Sequence, residues 1–364
     1  MVDSRRPDST LLLTVGGLVV FGLIVLSSAS TVIGFQQYGD STYFLKHQLV
    51  SALIGVLAFT FFYKIDYREW KRFAFPLLLV SIALLLAVFL PGIGLELLGA
   101  RRWISVGPIF FQPAEIVKLT FLIYLAVWLE ARQRKIHDRS YGLWPFLALL
   151  GTITFLVVKQ PDVGTMSIIA IIALSSYFVA GAPLRDFALI SGLAVAAFVL
   201  LIKTAPYRAA RFFVFLNPEL DPQGVGYHIN QALLAIGSGG LFGVGLGHSR
   251  QKFNYLPEVA GDSIFAVIAE ELGFIIALGL LALFVVFIIR GYRIARAAPD
   301  EFGRILAAGI TSWFGFQALI NMGALSGILP LTGIPLPFIS YGGTALITSF
   351  SALGILANIS RHAR

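Results

Sequence analysis

Residues 263–289 read SIFAVIAEELGFIIALGLLALFVVFII, a run in which Glu270 and Glu271 are the only charges. A helix needs about 20 mostly apolar residues to cross the hydrocarbon of a bilayer, so this run is long enough. It lacks the polar–apolar alternation of a barrel strand. Working outward, similar runs occupy 10–35, 44–62, 73–95, 114–129, 142–158, 164–182, 184–202, 305–329 and 344–359. The 364 residues are 57% hydrophobic and 13% charged, with a mean hydropathy of +0.85. Soluble domains carry roughly 25% charged residues, so a water-soluble globular protein is excluded. A disordered chain, which needs low hydrophobicity and high charge, is excluded too. The expected fold is an all-α polytopic integral membrane protein, one domain over 1–364 with about ten transmembrane helices.

Lys and Arg placement sets the expected orientation. With the N-terminus cytoplasmic, the inside segments hold Arg5, Arg6, Lys64, Arg68, Lys71, Arg72, Arg132, Arg134, Lys135, Arg139, Arg185, Arg290, Arg293, Arg296, Arg304, Arg361 and Arg364. That is 17 of the 27 basic residues, and it puts both termini inside. The formal charge of +8 is read as this bias, since no basic run interleaved with aromatics suggests nucleic acid. Leu11 to Leu26 followed by Ser27-Ser28-Ala29-Ser30 also resembles a signal peptide; a retained first helix gives an even count and consistent charges. The absence of Cys removes thiol nucleophiles and iron–sulfur clusters.

All but Lys46 of the remaining basic residues gather in three outside segments with unusual polar motifs: 99–118, with GARRWISVGP and QPAEIVK; 159–165, KQPDVGT; and the long connection 203–262 between the seventh and eighth spans; a fourth outside segment, 330–343, PLTGIPLPFISYGG, is charge-free. A structureless loop of ~60 residues is unusual in a compact fold, and 229–236 is apolar enough for a short interfacial or re-entrant helix.

Ionisable groups in or at the ends of spans are costly and mark function by default. Glu115 and Lys118, three apart, share a helix face; they form a neutralised pair for insertion or line a polar cavity. Asp262 precedes the opening run. It is either a helix N-cap, for which Asp is favoured, or a carboxylate at the mouth of the bundle that serves as a general base. A capping box wants Glu or Gln at the third helical position, where Phe265 stands. Glu270 and Glu271, roughly 12–14 Å deeper at 1.5 Å per residue, are expected to hold the bundle together. Arg208 and Arg211 either snorkel to headgroups or clamp a phosphate. The glycines at 237–240 and 243–247 lack the strand and helix of a dinucleotide loop and are read as tight turns with close backbone approach. The five His show no zinc-ligand spacing.

Together these motifs resemble the SEDS family of cell-wall polymerases, FtsW, RodA and SpoVE. The resemblance rests on GYHINQALLAIGSGGLFGVGLGHSRQKFNYLPEVAGDSIFAVIAEELG at 226–273, with GARRWI at 99–104, QPAEIVKL at 112–119, QPDVGT at 160–165 and LPLTGIPLPFISYGG at 329–343, all in order. Ser28-Ala29-Ser30, TYFLKHQ at 42–48 and NISR at 358–361 lean toward FtsW. Two positions depart from the family's habit: Ala114 where Ser is common, and Ser263 where Phe commonly follows the Asp.

The resemblance implies a peptidoglycan glycosyltransferase of cell division that polymerises lipid II on undecaprenyl pyrophosphate in the bacterial cytoplasmic membrane, active site outward. Elongation, as in RodA, is the alternative role. It also implies a class B penicillin-binding protein as partner, alongside membrane lipids. Asp262 matches the family's essential carboxylate. Glu115, Lys118, Asp162 and Arg211 match polar positions in or beside its cavity, and Arg102 and Trp103 fall within the matching GARRWI motif. Inverting transfer needs one base, assigned to Asp262, and no covalent intermediate. The departing pyrophosphate needs positive charge, for which Lys118, Arg208 and Arg211 are candidates, with a divalent cation (Mg or Mn) as the one cofactor considered. A lipid II flippase and a non-catalytic scaffold are the rivals. A transporter would show interrupted helices and repeat symmetry, and a scaffold would leave the clustered outside charges without a role.

Overall fold

The computed structural model describes residues 6–97, 100–107, 109–203, 206–217, 221, 224 and 226–363. Its helices are α1 (Ser9–Ala29), α2 (Thr31–Tyr38), α3 (Tyr43–Lys64), α4 (Trp70–Ala87), α5 (Pro113–Arg132), α6 (Leu143–Lys159), α7 (Val163–Val179), α8 (Leu184–Lys203), α9 (Pro206–Leu216), α10 (Tyr227–Gly239), α11 (Ile264–Ala297), α12 (Glu301–Leu325) and α13 (Gly343–His362). Nine of the ten apolar runs each fall on one helix, α3 to α8 and α11 to α13, and the tenth, 10–35, is split at Ser30 between α1 and α2. Among the described residues, six helices are long and apolar enough to cross a bilayer: α1, α3, α4 with its preceding 3-10 turn, α11, α12 and α13. Helices α6 and α7 are apolar but shorter. Helix α5 carries Glu115, Lys118, Glu130 and Arg132 and tolerates them by burying most of its surface among its neighbours.

The chain is not wholly helical. The expected span at 73–95 ends at Ala87, because Pro91 and Gly92, the latter at φ 80°, turn the backbone. There follows a three-stranded antiparallel sheet in the order β1 (Gly94–Leu97), β2 (Ala100–Val106) and β3 (Ile109–Phe111). The span expected at 305–329 lies at Glu301–Leu325, closed by Gly327 at φ 74°. The long connection contains α9 and α10, and the apolar segment 229–236 falls within α10.

Helices α5, α12 and α13 form the centre of the bundle. Trp313, Phe314, Phe121 and Phe302 are fully buried there. The outer helices turn Leu53, Leu57, Phe61, Phe75, Phe274 and Leu278 outward, a continuous apolar exposure that water does not tolerate and lipid does. Three helices begin on carboxylate caps that receive orphan N–H groups: Asp8 from Leu11, Asp162 from Thr165 and Asp300 from Gly303.

Helix α11 is broken at Gly273, whose φ of 80° is not helical. The glycine-rich loop after α10 fills the break. Val244 and Gly245 N–H donate to the carbonyls of Glu270 and Glu271, at 3.0 and 2.9 Å, while Phe274 and Ile275 N–H donate to Gly240 and Leu241, at 2.9 and 3.2 Å. A Cβ at Gly273 would lie 2.3 Å from Gly243 N, and one at Gly239 would lie 2.0 Å from Ala269 O. Only glycine allows backbones this close, and the inserted loop satisfies the freed groups that a bilayer could not.

Candidate active site

The polar motifs of 99–118, 159–165, 203–262 and 330–343 meet at one end of the bundle. Asp262 is half-buried there, in the loop before α11. The N-cap position of α11 is Ser263, one residue later, and its side chain makes no capping bond. The Asp262 carbonyl accepts a 2.7 Å hydrogen bond from Asn321 Nδ2, and Asn321 also donates to Ile334 O at 2.8 Å. Ser263 Oγ stands 3.5 Å from Asp262 Oδ1 and 2.6 Å from His228 Nε2 on α10. Asp262, Asn321, Leu331, Thr332, Gly333 and Ile334 line a narrow cleft with room for about 10 Å³. A Cβ at Gly333 would sit 3.5 Å from Asp262 Oδ2, so the segment after α12 floors the carboxylate closely.

Glu115 and Lys118 form an ion pair of 2.8 Å, with side chains 4% and 1% exposed. The Lys118 ammonium also donates to Gln317 Oε1 at 3.1 Å and lies 4.8 Å from the Trp313 ring centroid. Neither residue lines the Asp262 cleft. Lys118 is enclosed by its partners, which is a different setting from the open cavity wall expected of a pyrophosphate ligand.

Asp162 caps α7. Its carboxylate accepts from Thr165 N–H at 3.0 Å, Thr165 Oγ1 at 2.8 Å and Gln112 Nε2 at 3.1 Å. Arg102, on β2, donates to Gln160 O at 3.1 Å and to Pro161 O, and Trp103 pairs with Leu95 across the sheet. These residues build a corner in which the 160–162 turn, the sheet and the start of α5 are tied together. The corner abuts the cleft floor, since a Cβ at Gly164 would lie 2.5 Å from Thr332 O. Arg208 and Arg211 belong to α9; their side chains lie outside the described residues. No group of three or more His, Asp or Glu comes together among the described residues.

The charge search missed three features. Gln317 and Asn321 are neutral amides, although their spacing of four within an apolar helix is a readable signal. His228 was passed over because it pairs with Ser263 rather than with another metal-type ligand. Lys252 lies in the long connection, yet it reaches Glu271 Oε1 at 2.9 Å and Ser28 Oγ at 3.2 Å. Glu271 also accepts from Ser28 Oγ at 2.8 Å, and Glu270 from Arg250 N–H at 2.8 Å. These two carboxylates hold loop 247–252 against α1 and α11.

Comparison with known proteins finds relatives over nearly the whole chain. Residues 9–364 match the family model FTSW_RODA_SPOVE, described as cell cycle protein. The chain is 42% identical to stage V sporulation protein E of Bacillus subtilis, covering 98% of each. It is 43% identical to a probable peptidoglycan glycosyltransferase FtsW of Trichlorobacter lovleyi, covering 97% of this chain and 93% of the relative. Among solved structures, a chain from a study of how a peptidoglycan synthase complex coordinates polymerization and crosslinking superposes with a TM-score of 0.81 at 30% identity, covering 98% of both. The rod shape determining protein RodA of Thermus thermophilus superposes with a TM-score of 0.72 at 30% identity, over 98% of this chain and 97% of that one. The chain is a multi-pass membrane protein and belongs to the FtsW/RodA/SpoVE family.

Proposed function

We propose that this protein is a peptidoglycan glycosyltransferase that polymerises lipid II into glycan strands during cell division. The observation that carries the reading is the setting of Asp262. A carboxylate stands at the mouth of a cleft at one end of a membrane bundle, and its backbone carbonyl is clamped by a buried amide. A base held this way suits an acceptor that arrives on a lipid and reacts at the membrane surface.

The reaction is inverting. The 4-hydroxyl of the acceptor sugar attacks the anomeric carbon of the donor, a C–O bond forms, and the bond from that carbon to phosphate breaks. Undecaprenyl pyrophosphate leaves with the bonding pair, and Asp262 takes the hydroxyl proton. Pyrophosphate needs no general acid, but its charge needs positive partners. Lys118 is enclosed by Glu115, Gln317 and Trp313, so the cations for this task are sought first at Arg208 and Arg211. The protein works in the bacterial cytoplasmic membrane with this end facing outward, beside a class B penicillin-binding protein.

The transporter reading gains an interrupted helix in α11. That interruption is already filled by loop backbone, which leaves no open site at the break.

The test is purified protein in liposomes with fluorescent lipid II, with and without a class B partner. The expected product is a glycan ladder. Translocation of lipid II across the bilayer with no ladder, partner present, would instead make the protein a transporter.

A further inference from the structure

Trp313, Gln317 and Asn321 follow one another at intervals of four on α12, so their side chains stack along one face. All three are buried, at 1%, 3% and 3% exposure. Gln317 Oε1 accepts from Lys118 Nζ at 3.1 Å and from Trp313 Nε1 at 2.7 Å, and its Nε2 donates to Pro335 O at 2.8 Å. One turn on, Asn321 Nδ2 donates to Ile334 O and to Asp262 O. The partners fix both amide orientations. Turning Gln317 over would face its NH₂ toward two donors, and turning Asn321 over would face its oxygen toward two carbonyls. Asn321 Oδ1 has no hydrogen-bond partner among the described residues, so this amide is held through its two donated bonds.

We propose that Gln317 and Asn321 are positioning residues that transmit the Glu115–Lys118 ion pair to Asp262. The ion pair is enclosed, so its chemistry reaches the cleft only through what it touches. Lys118 locks the Gln317 amide, and Gln317 locks the peptide carbonyl at Pro335. Asn321 locks the neighbouring carbonyl at Ile334 together with that of Asp262. The base and the floor of its cleft, where a Cβ at Gly333 would come within 3.5 Å of the carboxylate, are thereby held by one helix face. Each amide satisfies a backbone acceptor of the 334–335 segment. That segment begins only nine residues beyond the end of α12 at Leu325, and the two amides pin it back against the helix face it has just left. A misplacement of about 1 Å in such a site costs on the order of a hundredfold in turnover.

The proposal rests on Asp262 being the base, so its test includes Asp262→Asn. Steady-state kinetics with purified lipid II would compare the unmodified protein with Gln317→Met, Asn321→Leu and Asn321→Ser, each in complex with its transpeptidase partner. Ser312→Ala is the control, because Ser312 is buried on the same helix and bonds Tyr292 at 2.8 Å, off this face. Thermal unfolding of every variant separates loss of fold from loss of chemistry. The expected result is a fall in kcat of roughly ten- to a hundredfold for Gln317→Met and Asn321→Leu. KM for lipid II should change less than about threefold. Asn321→Ser keeps one donor and should fall between, and Ser312→Ala should shift the unfolding temperature alone. A raised KM with kcat held would make these amides substrate contacts and overturn the proposal. An unchanged kcat in Asn321→Leu or Asn321→Ser, with Asp262→Asn inactive, would also overturn it while sparing the base. Activity retained by Asp262→Asn would remove the base reading itself.

Discussion

Asp162 and Asp262 look alike in the sequence, each an acidic residue just ahead of an apolar run, yet their surroundings differ. Asp162 turns its oxygens to Thr165 and Gln112 at the start of α7, whereas Asp262 lines the cleft and has its carbonyl held by Asn321. Asp162→Ala should therefore cost ~1–2 kcal/mol as a lost cap, read by thermal unfolding in detergent. Asp162→Asn keeps the acceptor and should retain polymerisation within about twofold; a large loss of activity at unchanged stability would return Asp162 to the chemistry. At the opposite end, burial opposes ionisation of Asp300, but hydrogen bonds from Tyr67, the Gly303 N–H and Arg68 outweigh it and hold its pKa below the ordinary 3.8. A depressed carboxylate contributes stability that is present above its unfolded pKa and lost as pH falls through the folded one. Stability should thus decline with acidification below about pH 4, and Asp300→Asn should remove part of that decline. At pH 7 the same substitution should cost ~1–3 kcal/mol.

At the scale of elements, the break in α11 is the feature on which the loop from 240 to Asp262 depends. Gly273→Ala would push a methyl to within 2.3 Å of Gly243 N, against backbone that cannot yield. It should cost more than ~3 kcal/mol, whereas Gly279→Ala on the same helix meets nothing within 4 Å and should be neutral or stabilising by up to ~1 kcal/mol. Equal melting temperatures for the two would contradict the packing described. The apolar runs were legible because hydrocarbon thickness is a constraint on length, readable in one dimension. The break was not legible, since the helical run continues through Gly273 with only Glu270 and Glu271 charged, and the interruption is filled by a distant loop that docks there. The carboxylates and the corner at Asp162 were legible as charges out of place. The amides of α12 were not, because a neutral Gln or Asn passes a search for charge, and the tie from Asn321 to Asp262 spans 59 residues.

The whole molecule separates two ends. Asp8–Arg290, Arg68–Asp300 and Lys71–Glu130 pair at one; the cleft, the sheet and the 330–342 segment gather at the other. The cleft, with room for about 10 Å³, is far below the ~300–1,000 Å³ of ordinary ligand pockets, so a disaccharide enters only if the cleft walls part. Tyr341 N–H donates to Ala260 O at 2.8 Å, which ties the segment after α12 to the loop that carries Asp262. Backbones this close lie within reach of a disulfide, whose Cα separation is about 5.5–6 Å, and the native chain has no Cys to interfere. Oxidised Ala260→Cys/Tyr341→Cys protein should lose most of its polymerising activity and regain it on reduction. Full activity in the oxidised form would mean that sugars enter without parting these two segments.

The most direct measurement is polymerisation of purified lipid II by Asp262→Asn protein with its transpeptidase partner, at equal folded protein. Asn keeps the backbone carbonyl that Asn321 holds and differs in lacking a basic carboxylate, so the fold should survive. The account predicts glycan from the unmodified protein and none from the variant. Equal glycan from both would contradict it, because the reaction would then proceed without the one group assigned to take the proton.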